Sequence, residues 1–129
     1  MRQVVLASIA SSLLLASAQA ARAQGQDGAF LLQACTATLQ QADGVPLSPQ
    51  DSAGAIYCAA YVSGFLDASS LATAADKSKK MICLPERGIT NDQGVRLLVK
   101  YLQENPQVLH ESGRMSLFVA LAKTFPCKK

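Results

Sequence analysis

The sequence predicts an all-α domain of four helices that is crosslinked by two disulfides. Apolar side chains recur at helical spacing, and no strand-like alternation extends beyond a few residues. The four cysteines, Cys35, Cys58, Cys83 and Cys127, all follow a segment with the pattern of a cleavable export signal. Because exported proteins fold in an oxidising compartment, an even number of cysteines favours disulfides over thiol or metal chemistry.

The first 23 residues have the parts of a signal peptide. Arg2 supplies a positive charge, residues 4–16 form a short apolar stretch, and small-x-small cleavage sites follow. The stretch is too short to span a bilayer, and no cysteine directly after it could carry a lipid. We therefore expect cleavage of residues 1–23, a helical domain over residues 24–129, and a periplasmic protein without stable membrane anchoring. An uncleaved anchoring helix is the alternative.

A turn signal separates the first two helices. Helical spacing predicts the first helix over residues 28–39, and the Asp-Gly-Val-Pro sequence at 43–46 ends it. Ser48 is then a suitable N-cap, because proline follows it at the first helical position. We expect the second helix to continue to about Leu71.

Aromatic residues recur every four positions on this second helix, at Tyr57, Tyr61 and Phe65. Packing in the core is one interpretation. A dimer or partner surface is the other, because tyrosine is enriched in protein interfaces. Gly64 beside them would let another helix approach closely, although glycine inside a helix costs about 1 kcal/mol relative to alanine. The second interpretation includes a homodimer.

The third helix has the clearest local signals. Residues 73–88 are irregular in sequence, and Thr-Asn-Asp-Gln at 90–93 is a capping-box pattern. Apolar residues then follow at i, i+3, i+4 and i+7, at Val95, Leu98, Val99 and Leu102. These spacings predict an amphipathic helix with one buried face.

A fourth helix is predicted to end near Lys123. The Asn-Pro sequence at 105–106 stops the third helix and offers an N-cap and first position for the next one. The expected inward side chains of this last helix are Met115, Phe118, Val119 and Ala122.

The order of the helices indicates how the cysteines pair. Cys35 and Cys58 lie about equally far from the turn near residue 45, so antiparallel helices bring them to one level. Cys83 precedes the third helix and Cys127 follows the fourth, at one end of an antiparallel pair. A disulfide needs Cα atoms within about 7 Å, which favours Cys35–Cys58 and Cys83–Cys127. The nested pairing, Cys35–Cys127 with Cys58–Cys83, is the rival.

The sequence lacks the patterns of catalysis, metal binding and nucleic-acid binding. The single histidine, His110, is predicted in the first turn of the fourth helix beside Glu111, where an exposed histidine is common. No calcium loop, phosphate loop or C-x-x-C motif is present. After cleavage at residue 23 the chain keeps 10 basic and 9 acidic side chains, too small an excess for nucleic acid. We expect no enzyme, no catalytic or metal-binding residue and no cofactor.

Four short motifs follow one another along the mature chain. They are Cys-Ala-Ala-Tyr-Val-Ser-Gly at 58–64, Ile-Cys-Leu-Pro at 82–85, Val-Lys-Tyr-Leu at 99–102 followed by Asn-Pro, and Phe-Pro-Cys at 125–127. In order and spacing they resemble the Rap/Tai family of type VI secretion amidase immunity proteins. The resemblance extends over about residues 30–127.

This resemblance implies a periplasmic, all-helical and often dimeric protein. Such a protein would bind and neutralise a peptidoglycan amidase that neighbouring bacteria deliver through type VI secretion. The family's target effectors are cysteine peptidases of the papain-like class, and the immunity protein blocks their substrate groove. The implied mechanism is steric occlusion, without chemistry by the inhibitor.

The motifs do not identify the contact residues, because the matching positions are mainly structural. Residues 77–92 form the longest irregular, charged stretch, and Cys83 tethers it. A tethered loop loses less conformational freedom on binding than a free one. The candidate partner-binding residues are therefore Lys79, Lys80, Glu86 and Arg87. A surface loop without a partner is the alternative.

Three other functions stay open. A small periplasmic acid-activated helical chaperone would expose apolar surface at acidic pH. A carrier of a lipid or small apolar ligand would need a large cavity. An orphan periplasmic binding protein would keep the same fold without a cognate toxin.

Overall fold

The computed structural model describes residues 27–128, and within that range it contains helices and no strand. The helices are α1 (Gly28–Ala42), α2 (Pro49–Ala75), α3 (Asn91–Glu104) and α4 (Gly113–Thr124). Two short 3-10 turns, Lys77–Lys79 and Pro106–Val108, precede α3 and α4 respectively. The predicted four-helix, all-α architecture is confirmed. The predicted signal peptide lies outside the described residues.

Side-chain caps begin three of the four helices. The Asp27 carboxylate accepts a hydrogen bond from the Phe30 N–H at 2.8 Å at the start of α1. The Ser48 hydroxyl accepts one from the Asp51 N–H at 3.1 Å at the start of α2. At α3 both hydrogen bonds of the predicted capping box form, between Thr90 and Gln93. Two of these three caps were predicted from local sequence alone.

The fourth helix begins later than predicted. Pro106 starts a 3-10 turn, and α4 itself begins at Gly113. The residues between them serve α1: the Leu109 carbonyl accepts from the Ala29 N–H at 2.9 Å, and the Glu111 carbonyl accepts from the Gly28 N–H at 3.0 Å. Those carbonyls satisfy N–H groups that have no partner within α1, so this segment is not helical.

The inward face of α4 also differs from the prediction. Its buried residues are Gly113, Ser116, Leu117, Ala120 and Leu121. Of the four residues expected to point inward, Phe118 and Ala122 pack at the margin of the core, whereas Met115 is 51% exposed. Apolar residues occur on several sides of this short helix, so spacing alone does not determine which side is buried.

The core lies where all four helices meet around α1. Its largest fully buried side chains are leucines from three helices, Leu31, Leu98, Leu102, Leu117 and Leu121. Burying each of them removes apolar surface from water and contributes roughly 1.5–3 kcal/mol before the entropy of ordering is counted. This contribution fixes the helices relative to one another.

Both predicted disulfides are present, and the nested pairing is wrong. Cys35 and Cys58 join α1 to α2 with a Cα–Cα distance of 5.1 Å, and both residues are fully buried. Cys83 and Cys127 join the segment before α3 to the tail after α4, with a Cα–Cα distance of 5.0 Å. The second pair is only partly buried.

Helix α2 is the one helix in the described chain whose length and apolar composition would suffice to cross a membrane. The core helix of a soluble domain passes the same test. The inner face of α2 packs in the core through Ala55, Cys58 and Val62. This face also carries the buried disulfide to α1, so one side of α2 belongs to the core, while 17% of its apolar stretch is buried inside the fold.

Candidate partner-binding site

An open groove of about 820 Å³ lies between the second half of α2 and residues 76–88. One side is formed by α2 residues such as Ser69 and Thr73, and Phe118 contributes from α4. Cavities of this size can hold a small molecule or a few side chains. We call the loop of residues 76–88 the groove segment.

The groove segment is anchored at its middle. The Ile82 side chain packs in the core, with 9% of its surface exposed. The Cys83 N–H donates a hydrogen bond to the Phe125 carbonyl at 2.9 Å, and the Cys83 sulfur is bonded to Cys127. The segment therefore projects from the fold while two adjacent residues hold it to the helices.

Local hydrogen bonds shape both ends of the groove segment. At its start, the Asp76 carboxylate accepts from the N–H and the hydroxyl of Ser78, at 3.0 and 2.6 Å. At its end, the Gly88 N–H donates to the Pro85 carbonyl at 2.7 Å. Gly88 has φ +70°, a left-handed conformation that favours glycine. The loop thus has defined turns at both ends.

The lining of the groove is mainly apolar, and we call its apolar residues the floor. It includes Ala72, Met81, Leu84 and Phe118. Met81 is 67% exposed although it is a large hydrophobic residue. Methionine is flexible and polarisable, so it adapts to differently shaped partner side chains.

The structure places two of the four candidate residues in the lining of this groove. Lys80 and Glu86 line the groove, and Arg87 is exposed next to Glu86. Lys79 belongs to the 3-10 turn Lys77–Lys79, and its side chain lies outside the described part of the structure. Lys77, at the start of the predicted contact stretch, also lines the groove.

Three of these charged side chains take no part in the ion pairs described within the fold. Within the described chain, Lys80, Glu86 and Arg87 form no ion pair. On α3, by contrast, Arg96 binds Asp92 at 2.8 Å, and Lys100 lies 3.9 Å from Glu104. The charges around the groove are therefore available to a partner.

Comparison with protein-family models matches residues 27–127 to the Rap1a immunity proteins. The chain belongs to the Rap1a family. The match begins at the N-cap of α1 and ends at the last cysteine, so it includes both disulfides and the groove. Comparisons with curated proteins and with solved structures give no match. Rap1a membership implies an immunity function exerted by binding an effector, and immunity families are generally non-enzymatic.

The Cys-Ala-Ala-Tyr-Val-Ser-Gly motif of this Rap1a protein, residues 58–64 of α2, has a structural role. Cys58 is buried in its disulfide, and Tyr61 packs against the core. The Tyr57 ring stacks on Tyr61 with 5.9 Å between ring centroids, and it packs against Phe30 in a T-shaped arrangement at 5.1 Å. Burial raises the pKa of Tyr61, and the neighbouring Tyr57 adds to this effect. These contacts agree with the core-packing interpretation of the aromatic residues.

Two glycines of the Rap1a chain have different surroundings. At Gly64, an added β-carbon would meet no atom of residues 27–128 within 4 Å, so no other helix in that range approaches it. The close approach occurs at Gly94, where α3 meets α2. Nearby, the Asn91 side-chain amide donates to the Ala59 carbonyl at 3.1 Å and links the same two helices. Neither Gly94 nor Asn91 stands out in the spacing pattern.

The histidine of this Rap1a protein is exposed to solvent. His110 lies in the turn before α4 rather than within the helix, and its side chain is 79% exposed. Its Nε2 is 3.4 Å from a Glu111 carboxylate oxygen. Among residues 27–128, no group of three or more histidine, cysteine or acidic side chains could hold a metal ion.

Proposed function

We propose that this protein is a periplasmic immunity protein that binds a peptidoglycan amidase delivered by type VI secretion and blocks its substrate groove. The observation that carries the proposal is the anchored, charged groove segment at the edge of an open groove. Rap1a membership supplies the immunity function. The resemblance to Rap/Tai proteins supplies the amidase as the target.

Inhibition in this proposal is steric. The groove segment enters or covers the amidase cleft, with Lys79, Lys80, Glu86 and Arg87 at the contact. Ile82 and the Cys83–Cys127 disulfide order the segment before the partner arrives. Because little conformational freedom is then lost on binding, more of the contact free energy appears as affinity.

The periplasm is the proposed compartment. The sequence pattern of residues 1–23 supports export, and the mature domain is then residues 24–129. The two disulfides suit an oxidising compartment. A peptidoglycan amidase would act in the same compartment, so inhibitor and target would meet there.

The proposal includes a homodimer. Ile56 and Leu71 are large hydrophobic residues on the outer side of α2, with 68% and 72% of their surfaces exposed. Gly64 lies between them and leaves room for a second helix. Light scattering after size exclusion tests this part: we expect twice the monomer mass, and a monomer for Leu71→Glu. A monomeric wild-type protein over a wide concentration range would contradict the dimer.

The experiment for the main function is a capture assay with the oxidised mature protein as bait. The prey are the product of the adjacent reading frame and the secreted amidases of the same organism. We expect a one-to-one or two-to-two complex in which peptidoglycan cleavage stops. No amidase complex under oxidising, neutral conditions would contradict the proposal.

Charge reversal tests whether the groove segment makes the contact. Lys80→Glu with Arg87→Glu should weaken amidase binding by at least about tenfold, because both charges are exposed and unpaired. The matched control reverses Arg96 and Lys100 on the exposed side of α3. Equal binding by both double variants would exclude the groove segment as the contact.

A further inference from the structure

We propose that the groove takes an acidic segment of the effector, anchored by one large apolar side chain. The floor of the groove receives the anchor, and the basic side chains around it pair with carboxylates. This inference rests on the proposed function and adds the chemistry of the partner's contact surface.

The charges of the chain are divided between two regions. The groove segment, residues 76–88, carries four basic and two acidic residues. The other residues from 27 to 126 carry four basic and seven acidic residues. Lys128 adds a further positive charge next to Cys127, which the disulfide holds at the groove segment. The groove therefore lies in a net positive region of an otherwise net negative domain, which favours an acidic partner.

The fold engages one of the two acidic groups of the groove segment. The Asp76 carboxylate caps the 3-10 turn through its two hydrogen bonds with Ser78. Lys77 and Lys80 line the groove without a described ion pair. Lys77 and Lys80 are thus free to meet a partner.

Glu86 restricts where a carboxylate can bind. It lines the same groove and has no ion pair among the described residues. An acidic partner group placed against Glu86 would be repelled, whereas one placed between Lys77 and Lys80 would be attracted. The charged residues that line the groove therefore select both the sign of the partner's charge and the position of that charge along the groove.

The apolar floor distinguishes this surface from a purely electrostatic one. Met81, Leu84 and Phe118 form a concave apolar surface next to the lysines. A bulky side chain buried there would remove apolar area from water on both sides. A membrane would need an apolar face that protrudes, so a protein segment with a projecting side chain fits the groove better than a lipid surface does.

A partner-free experiment tests the chemistry. A phage-displayed library of random dodecapeptides is selected on the oxidised mature protein at low salt. We expect enriched peptides with net negative charge and one large apolar residue, and synthetic copies should lose at least about tenfold in affinity to Lys77→Glu with Lys80→Glu. The control variant, Arg96→Glu with Lys100→Glu, should bind them unchanged.

Several results of this selection would overturn the inference. These are enrichment of neutral or basic peptides, no enrichment at all, and an equal loss in the control variant. A fourth is binding to vesicles of equal parts phosphatidylglycerol and phosphatidylethanolamine. If Lys77→Glu with Lys80→Glu abolished that binding, the surface would be assigned to anionic lipid. Circular dichroism confirms that each variant keeps its helices.

A second arm with the captured amidase separates this inference from the proposed function. The association rate should fall as salt rises, because screening shortens the range of the attraction to about 10 Å at 0.1 M salt. Acidic-peptide binding without an amidase complex would support the groove chemistry and contradict the amidase. An amidase complex that is unaffected by reversal of Lys77 and Lys80 would support the amidase as the target and contradict the groove chemistry.

Discussion

Gly94 of α3 lies so close to Val62 of α2 that a β-carbon at residue 94 would stand 2.8 Å from Val62 Cγ1. Val62 is fully buried, and its β-branched side chain has few rotamers into which it could move away. The two helices therefore pack at this distance because residue 94 is a glycine.

Gly94→Ala should destabilise the protein by roughly 1–3 kcal/mol, because the added methyl group overpacks the contact with Val62. The matched control is Gly64→Ala, where the methyl group meets no atom within 4 Å. That control, made with Leu71→Glu so that no partner helix lies against residue 64, should stabilise α2 by up to about 1 kcal/mol. Urea denaturation of both variants measures the difference. Equal midpoints would show that the contact with Val62 has room to relax.

The two disulfides should differ in their reaction with a dithiol. Cys83–Cys127 is partly exposed, whereas both cysteines of the other pair are fully buried. Dithiothreitol under native conditions should therefore reduce Cys83–Cys127 first, converting one cystine to two thiols as the reagent becomes a cyclic disulfide. Mass spectrometry after alkylation identifies the labelled residues. Labelling of Cys35 and Cys58 first would be contrary to the structure.

Removal of the two disulfides should have different consequences. In the loop-entropy relation, loops of 23 and 44 residues correspond to roughly 3.5 and 4 kcal/mol. Cys35→Ala with Cys58→Ala also opens space in the core, so it should lower stability the more. Cys83→Ala with Cys127→Ala should keep the helices but release the groove segment and weaken effector binding. Full effector binding by the second variant would mean that the disulfide does not order the contact.

The capping box contributes a separate, local stabilisation. Thr90→Ala removes the hydroxyl that accepts from the Gln93 N–H at 3.1 Å and should cost about 1 kcal/mol. Ser112, at the corresponding position of α4, makes no side-chain capping hydrogen bond. Ser112→Ala should therefore cost less in a thermal or urea denaturation experiment. A larger effect at Ser112 would place the important cap on α4 instead.

Tyr61 should make the protein less stable in alkaline solution. Burial, with a smaller contribution from Tyr57, raises the pKa of Tyr61 above the ordinary value of 10.0, while Arg114 opposes the shift. The unfolded chain then loses this proton first, so stability is complete below pH 10 and falls as the pH rises from there towards the folded-state pKa. Urea midpoints against pH should show this fall in the wild type and a smaller one in Tyr61→Phe. Identical curves would contradict the burial of the phenol.

Local chemistry explains which parts of the fold could be predicted. The caps at Ser48 and Thr90 each join a side chain to a residue three positions later, so the local sequence is enough to predict them. The disulfides followed from loop lengths and antiparallel order. The start of α4 could not be predicted in this way. The carbonyls of Leu109 and Glu111 accept hydrogen bonds from the beginning of α1, which is far away in the sequence.

The site could be predicted only in part. Charge and irregularity pointed to residues 77–92. Lys80 and Glu86 line a groove there, and their contact with a partner stays a prediction. The opposite wall comes from α2, which was expected to end near Leu71 but continues to Ala75. The contribution of Phe118 depends on how α4 is rotated, which spacing did not determine.

The most direct test of the central claim is peptidoglycan cleavage by the captured amidase in the presence of increasing oxidised mature protein. We expect cleavage to fall to zero at one inhibitor chain per enzyme, and the variant Lys80→Glu with Arg87→Glu to require far more protein. Undiminished cleavage in the presence of excess oxidised protein would contradict the immunity mechanism proposed for this chain.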